Sequence, residues 1–223
     1  MIIHPEIHAE LARERISTFL AQAEADRLAR QARRPAKDSK VRLRDGSAVL
    51  IRPVRPADDG LLADGFARLS DRSRRMRFLG PKEALSAAEL RYFTDVDHHN
   101  HEALGALDHA RGGGVGIARY VRDRDDPRTA EIAVAIIDDW QGRGLGTELL
   151  TRLSDRARQE GIRRFTAAVM ADNAAMSRLL RNLGADLVHR EFGTLEYEVE
   201  LACAPVRRAR SRGNAPGSVV DVS

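Results

Sequence analysis

A single cysteine, Cys203, occurs in 223 residues, so the chain can build neither an internal disulfide framework nor a cysteine-based zinc site. That scarcity suits a reducing compartment, and a cytoplasmic location is the expectation. Aromatic residues make up only 4% of the chain. Lysine is scarce as well: Lys37, Lys40 and Lys82 are the only lysines among 37 basic residues, the rest being arginines. Such a bias is the expected trace of GC-rich coding. A nucleic-acid surface would interleave basic and aromatic residues in one patch, and no such patch is present. No apolar run approaches the length that crosses a bilayer, and the first residues lack the basic-then-apolar layout of a signal peptide. Neither nucleic acid nor a membrane is an expected partner.

What is present is ample apolar content, 43%, enough to bury a core. Residues 5–34 place Ile7, Leu11, Ile16, Phe19, Leu20 and Leu28 at near-helical spacing, with Pro5 suited to a first turn and Pro35 ending the run. Residues 1–40 therefore read as an amphipathic helix and linker, expected to dock on its own domain, on a partner, or on a second copy as a homodimer handle. From residue 41 the texture changes. Two strand-like runs flank Asp45-Gly46, a strong hairpin signal. Helices are expected over residues 58–70 and 86–96, the second opened by a Ser86/Glu89 capping box. Two strands around Gly112–Gly114 follow, then a β-branched strand, a helix ending at Gly161, a strand, a short helix ending at Gly184, and a final strand pair. The order over 41–201 is ββ-αα-βββ-α-β-α-ββ, one α/β (or α+β) domain around a mixed sheet. Residues 202–223, rich in Arg, Pro and Gly, read as a disordered basic tail.

One stretch carries chemistry. In 138-DDWQGRGLGTELL-150, Gly142, Gly144 and Gly146 alternate between an apolar strand and an amphipathic helix. A dinucleotide fingerprint needs GxGxxG and an acidic residue about 20 positions on; residues 162–170 hold neither Asp nor Glu. A Walker A loop needs GK[ST], and here Gly146 is followed directly by Thr147 with no lysine. What remains is a strand, a turn and a helix N-terminus, whose free amides and dipole favour a pyrophosphate.

The segment Gln141-Gly142-Arg143-Gly144-Leu145-Gly146 resembles the Q/R-x-x-G-x-G/A acyl-CoA loop of the GNAT N-acetyltransferase superfamily, and the order of elements over 41–201 agrees with it. The resemblance implies a GNAT fold, with a mixed, mostly antiparallel sheet flanked by helices, and acetyl-CoA as co-substrate. It implies that backbone amides of Gln141, Gly142, Arg143, Gly144, Leu145, Gly146 and Thr147 hold the CoA pyrophosphate. It further implies that the backbone of Ala135, Ile136 and Ile137 pairs with the pantetheine arm and the thioester carbonyl. Asn173 would contact the pantetheine or cap the following helix.

A closer resemblance is to bacterial protein lysine acetyltransferases. Ala130-Glu131-Ile132, ahead of the loop, matches the position of their general base, and Arg77-Phe78 and 96-VDHHNHEALGAL resemble further segments. Strand alternation supports that role for Glu131, because it shares a face with Ala133, Ala135 and Ile137, where small side chains leave space. An apolar surround there would suit a base. Many family members place a tyrosine seven residues after the helix-opening Asn; here Leu180 occupies that position, leaving the CoA thiolate to solvent or another side chain. His98, His99 and His101 carry no metal-ligand spacing on a helix, and no metal is expected. The expectation is amine acetylation, of a protein lysine or a small molecule. A non-catalytic acyl-CoA-sensing module is the alternative from another class.

Overall fold

The computed structural model describes residues 37–201. The expected N-terminal helix and basic tail lie outside the described residues. Within them, strand β1 (Ser39–Arg42) and β2 (Ala48–Pro53) precede three helices, α1 (Asp59–Ala67), α2 (Asp71–Phe78) and α3 (Ala87–Thr94). Strands β3 (His101–Asp108), β4 (Gly114–Arg122) and β5 (Thr129–Ile136) follow, then helix α4 (Leu145–Gln159), β6 (Arg164–Met170), α5 (Ala174–Asn182), β7 (Asp186–Glu191) and β8 (Thr194–Glu200). The strands form one sheet in the order β1-β2-β3-β4-β5-β6-β8-β7, with β5 and β6 parallel and the other neighbours antiparallel.

Local chemistry accounts for most of these elements. The β1–β2 hairpin turns at Asp45-Gly46, where Gly46 has φ +87° and the Asp45 carboxylate accepts from the Ser47 amide and hydroxyl. The capping box at α3 is formed: the Ser86 hydroxyl accepts from the Glu89 amide, and the Glu89 carboxylate accepts from the Ser86 amide. Helix α4 buries Leu149, Leu150, Leu153 and Ala157 against one face of the sheet, where they meet Tyr120, Ile132 and Phe165. The opposite face carries α1 to α3.

Helix α2 is absent from the sequence expectation, and the reason is physical. Its segment, DRSRRMRF, has four arginines in eight residues and no apolar stripe. It is held instead at its N-terminus. Ser70 caps it through the Ser73 amide, and the Asp138 carboxylate, from the loop after β5, accepts from the Ser70 amide and the Ser70 and Ser73 hydroxyls at 2.8–2.9 Å.

Three carboxylates that tie this face together set an acid limit on stability. Burial would raise Asp58, Glu89 and Asp138, but hydrogen bonds from Arg52, from Lys82 and Ser86, and from Ser70 and Ser73 respectively hold all three below their ordinary values of 3.8, 4.5 and 3.8. A depressed folded-state pKa contributes stability that is complete above the unfolded value and is lost as pH falls towards the folded one. The melting temperature is therefore expected to hold above pH 4.5 and to fall as the pH drops below 3.8. A thermal scan across pH 3–6 checks this, and a melting temperature that rises on acidification contradicts it.

Candidate active site

The parallel pair β5/β6 is joined at only three positions, Thr129↔Arg164, Ala130↔Phe165 and Glu131↔Thr166. Beyond Glu131 the two strands run on to Ile136 and Met170 without pairing. The sheet opens there as a V, with Glu131 at its vertex. On its other edge β5 stays bonded to β4 as far as Ile136↔Gly116, and the Ile137 amide donates to the Val115 carbonyl. By alternation the amides of Val134 and Ile136 face the opening. The Ile136 carbonyl, on that side, accepts from the Gln141 side-chain amide at 3.0 Å. Of the three residues expected to pair with a ligand's arm, Ile137 thus has its amide engaged in the sheet, while Ile136 turns its amide to the open side.

The glycine loop sits at the wide end of the V. Gly142 and Gly144 have φ +75° and +89°, conformations that only glycine adopts without strain, and Gly144 is the N-cap of α4. Among the described residues, the amides of residues 142–147 donate to no acceptor. A nest of outward N–H groups at a helix N-terminus is an anion site. Its walls are braced from the β1–β2 turn: Arg143 pairs with Asp45 at 3.1 Å and lies over the Trp140 ring, and the Arg44 side chain packs 3.4 Å from where a Gly144 Cβ would be. Together the loop and the V form a groove of about 580 Å³. Glu131, Ala133, Ala135, Gln141, Thr147 and Asn173 all line it.

Asn173 does what a helix-opening residue does: its Oδ1 accepts from the Met176 amide at 3.1 Å. Leu180 is fully buried in the core and does not line the groove. Glu131 lines the groove as its strand parity requires, but its surroundings differ from the apolar expectation. The Arg77 guanidinium is close enough for the Glu131 charge to favour its protonated form. Tyr92, Phe93 and Arg119, which no sequence motif marks, also line the groove from α3 and β4. An arginine inside the otherwise apolar strand GVGIARYVR was the available signal for Arg119.

The histidine segment is structural. His98 bonds to Glu102 and His99 to Glu160, both at 2.6 Å, while His101 stacks on Tyr92 with ring centroids 4.9 Å apart. The Asp97 carboxylate accepts from the amides of His99, Asn100 and His101. These side chains diverge to different faces of the sheet.

The groove has relatives. The profile of the acetyltransferase (GNAT) domain matches residues 48–186. The chain is similar to acetyltransferase Pat of Mycolicibacterium smegmatis, 33% identical over 161 residues, which covers 72% of this chain and 48% of that protein. It is 40% identical over 144 residues to acetyltransferase PA5475 of Pseudomonas aeruginosa, covering 64% of this chain and 77% of that one. Among solved structures, the GNAT domain of S. lividans PAT superposes with a TM-score of 0.69 at 30% identity, over 73% of this chain and 96% of that domain. The chain thus spans about half the length of the mycobacterial relative.

Proposed function

The chain belongs to the GNAT acetyltransferase family, and from that premise we propose that it is an acetyl-CoA-dependent N-acetyltransferase that acylates an amine by direct transfer, with Glu131 as general base. The observation that carries this reading is the β5/β6 opening, with a carboxylate at its vertex and an anion nest at its mouth.

In this scheme the donor is acetyl-CoA. Its pyrophosphate sits on the amides of residues 142–147, and its pantetheine arm continues the sheet along β5, where the Val134 and Ile136 amides meet it. The acceptor arrives as an ammonium with a pKa near 10, and cannot attack until a proton is removed. Glu131 takes that proton. The free amine forms the C–N bond at the thioester carbonyl, the C–S bond breaks, and CoA leaves as a thiolate that is protonated to the thiol. Net, one ammonium and one thioester give one amide, one thiol and one proton. The acceptor class is an amine, of a protein lysine or a small molecule. Association through residues 5–34 and a cytoplasmic location belong to the same proposal.

The loop's part is tested by Gly144→Asp. It forces a Cβ into a left-handed position and sets a carboxylate among amides that would hold a pyrophosphate. Affinity for CoA, measured by calorimetry, is expected to fall about 100-fold. Undiminished affinity in the folded variant would remove the loop from the binding site.

A further inference from the structure

Two guanidinium groups stand beside the transfer point, and the scheme above gives neither a task. Arg119 lies opposite Ala133 in the β4/β5 register and is 5% exposed. Its guanidinium rests over the Phe93 ring at 4.1 Å and donates to His101 Nε2 at 3.2 Å and the Phe93 carbonyl at 3.3 Å. Among the described residues no carboxylate pairs with it. Arg77 lies over the Phe78 ring at 5.0 Å, and the Phe78 and Phe93 rings are 6.4 Å apart. Burial, and then the Arg77 charge, push Arg119 down to about 9, so Arg119 stays charged at neutral pH; burial lowers Arg77 as well, and the Glu131 charge works against that. A buried cation without a counter-charge is costly, and a protein holds one where a ligand supplies the charge.

Both arginines border two spaces at once. One is the groove; the other is an apolar chamber of about 100 Å³ beneath α1, walled by Leu61, Leu62, Phe66, Leu85 and Ile117. The two spaces share Leu69, Arg77, Phe78, Phe93, Arg119 and Ala135 as lining. Glu131 shares a strand face with Ala133, so its Cβ lies diagonally from that of Arg119, roughly 7–8 Å away. A base, a cationic pair and an apolar chamber thus converge on one point from three directions.

We propose that the acceptor is a free α-amino acid with an apolar side chain. Its carboxylate lies between Arg119 and Arg77, its amine faces Glu131 and the thioester, and its side chain enters the chamber under α1. This rests on the acetyl-transfer reading and names its substrate class. The C–N bond forms at the α-nitrogen, the C–S bond breaks, the proton passes to Glu131, and the products are an N-acetylamino acid and CoA thiol.

The test is thiol release by the full chain with acetyl-CoA, with product masses read in parallel. The acceptors are L-leucine, L-methionine, leucinamide, 3-methylbutylamine and a lysine peptide. On the wild-type protein, kcat/KM for leucine is expected to exceed that for leucinamide and 3-methylbutylamine by about 100-fold, because the latter two bring no carboxylate to Arg119. Arg119→Gln is expected to raise KM for leucine by a similar factor and so erase the preference, while Arg119→Lys restores part of it. The wild-type comparison stands whether or not a variant folds. Turnover of leucinamide or the lysine peptide at or above that of leucine overturns this proposal and leaves acetyl transfer standing. A preference that survives Arg119→Gln overturns it too. No turnover of any amine by protein that binds CoA overturns the acetyl-transfer reading and this one with it.

Discussion

Glu131→Gln is expected to lower kcat by about 10³-fold while CoA affinity stays that of the wild type. The amide keeps the shape and polarity of the side chain at the vertex of the β5/β6 opening but cannot accept a proton. The deficit should depend on pH in a particular way. In the variant only the fraction of amine that is already neutral can attack. That fraction grows about tenfold per pH unit up to the amine's own pKa near 10. The variant's rate should therefore climb towards that of the wild type as the pH approaches 10. A non-catalytic sensing module predicts no turnover in either protein at any pH. Wild-type turnover in Glu131→Gln at neutral pH would show that the base lies elsewhere.

The second large effect is on stability, on the opposite face of the sheet. Glu102 is completely buried and accepts from Arg156 Nε at 2.9 Å, from the Ala103 amide at 3.0 Å and from His98 Nδ1 at 2.6 Å. Arg156, in α4, is 8% exposed and also pairs with Glu160 at 2.9 Å. Its Nη2 donates to the His98 carbonyl at 2.9 Å. The cluster fastens α4 to the start of β3. Glu102→Ala leaves a buried guanidinium with Glu160 alone and opens a cavity. Removing one partner of a buried ion pair costs about 3–5 kcal/mol, here taken at the low end because Glu160 remains. At that size the melting temperature should drop by roughly 10 °C. Because the loss comes from the orphaned charge, the double variant Glu102→Met/Arg156→Met should recover most of it, since well-packed apolar pairs replace buried ion pairs at little cost. A double variant no more stable than Glu102→Ala would place the loss in packing.

These two sites also mark how far the sequence could be read. Elements whose causes are local were legible. The Asp45-Gly46 hairpin, the Ser86/Glu89 capping box and the stripe of α4 each follow from residues a few positions apart. The position of the loop at a helix N-terminus and the face of β5 that carries Glu131 were legible, because spacing and strand parity set them. Helix α2 was not, since its N-cap is held by Asp138, 68 residues from Ser70, and its own residues carry no apolar periodicity. The histidines of residues 98–101 could be given no role from the sequence, because their pairing with Glu102 on β3 and Glu160 beyond α4 is set by the fold. Arg119 belongs to the same class. Its significance is that, among the described residues, no carboxylate pairs with it, which depends on everything packed around it.

The central claim, acetyl transfer to an amine at the β5/β6 opening, is tested most directly by incubating the full chain with labelled acetyl-CoA and an amine panel. Thiol release and labelled amide are then followed together. Equimolar formation of thiol and N-acetylated amine, lost in Glu131→Gln at neutral pH, is the predicted result. CoA binding without any labelled amide across the panel would contradict it.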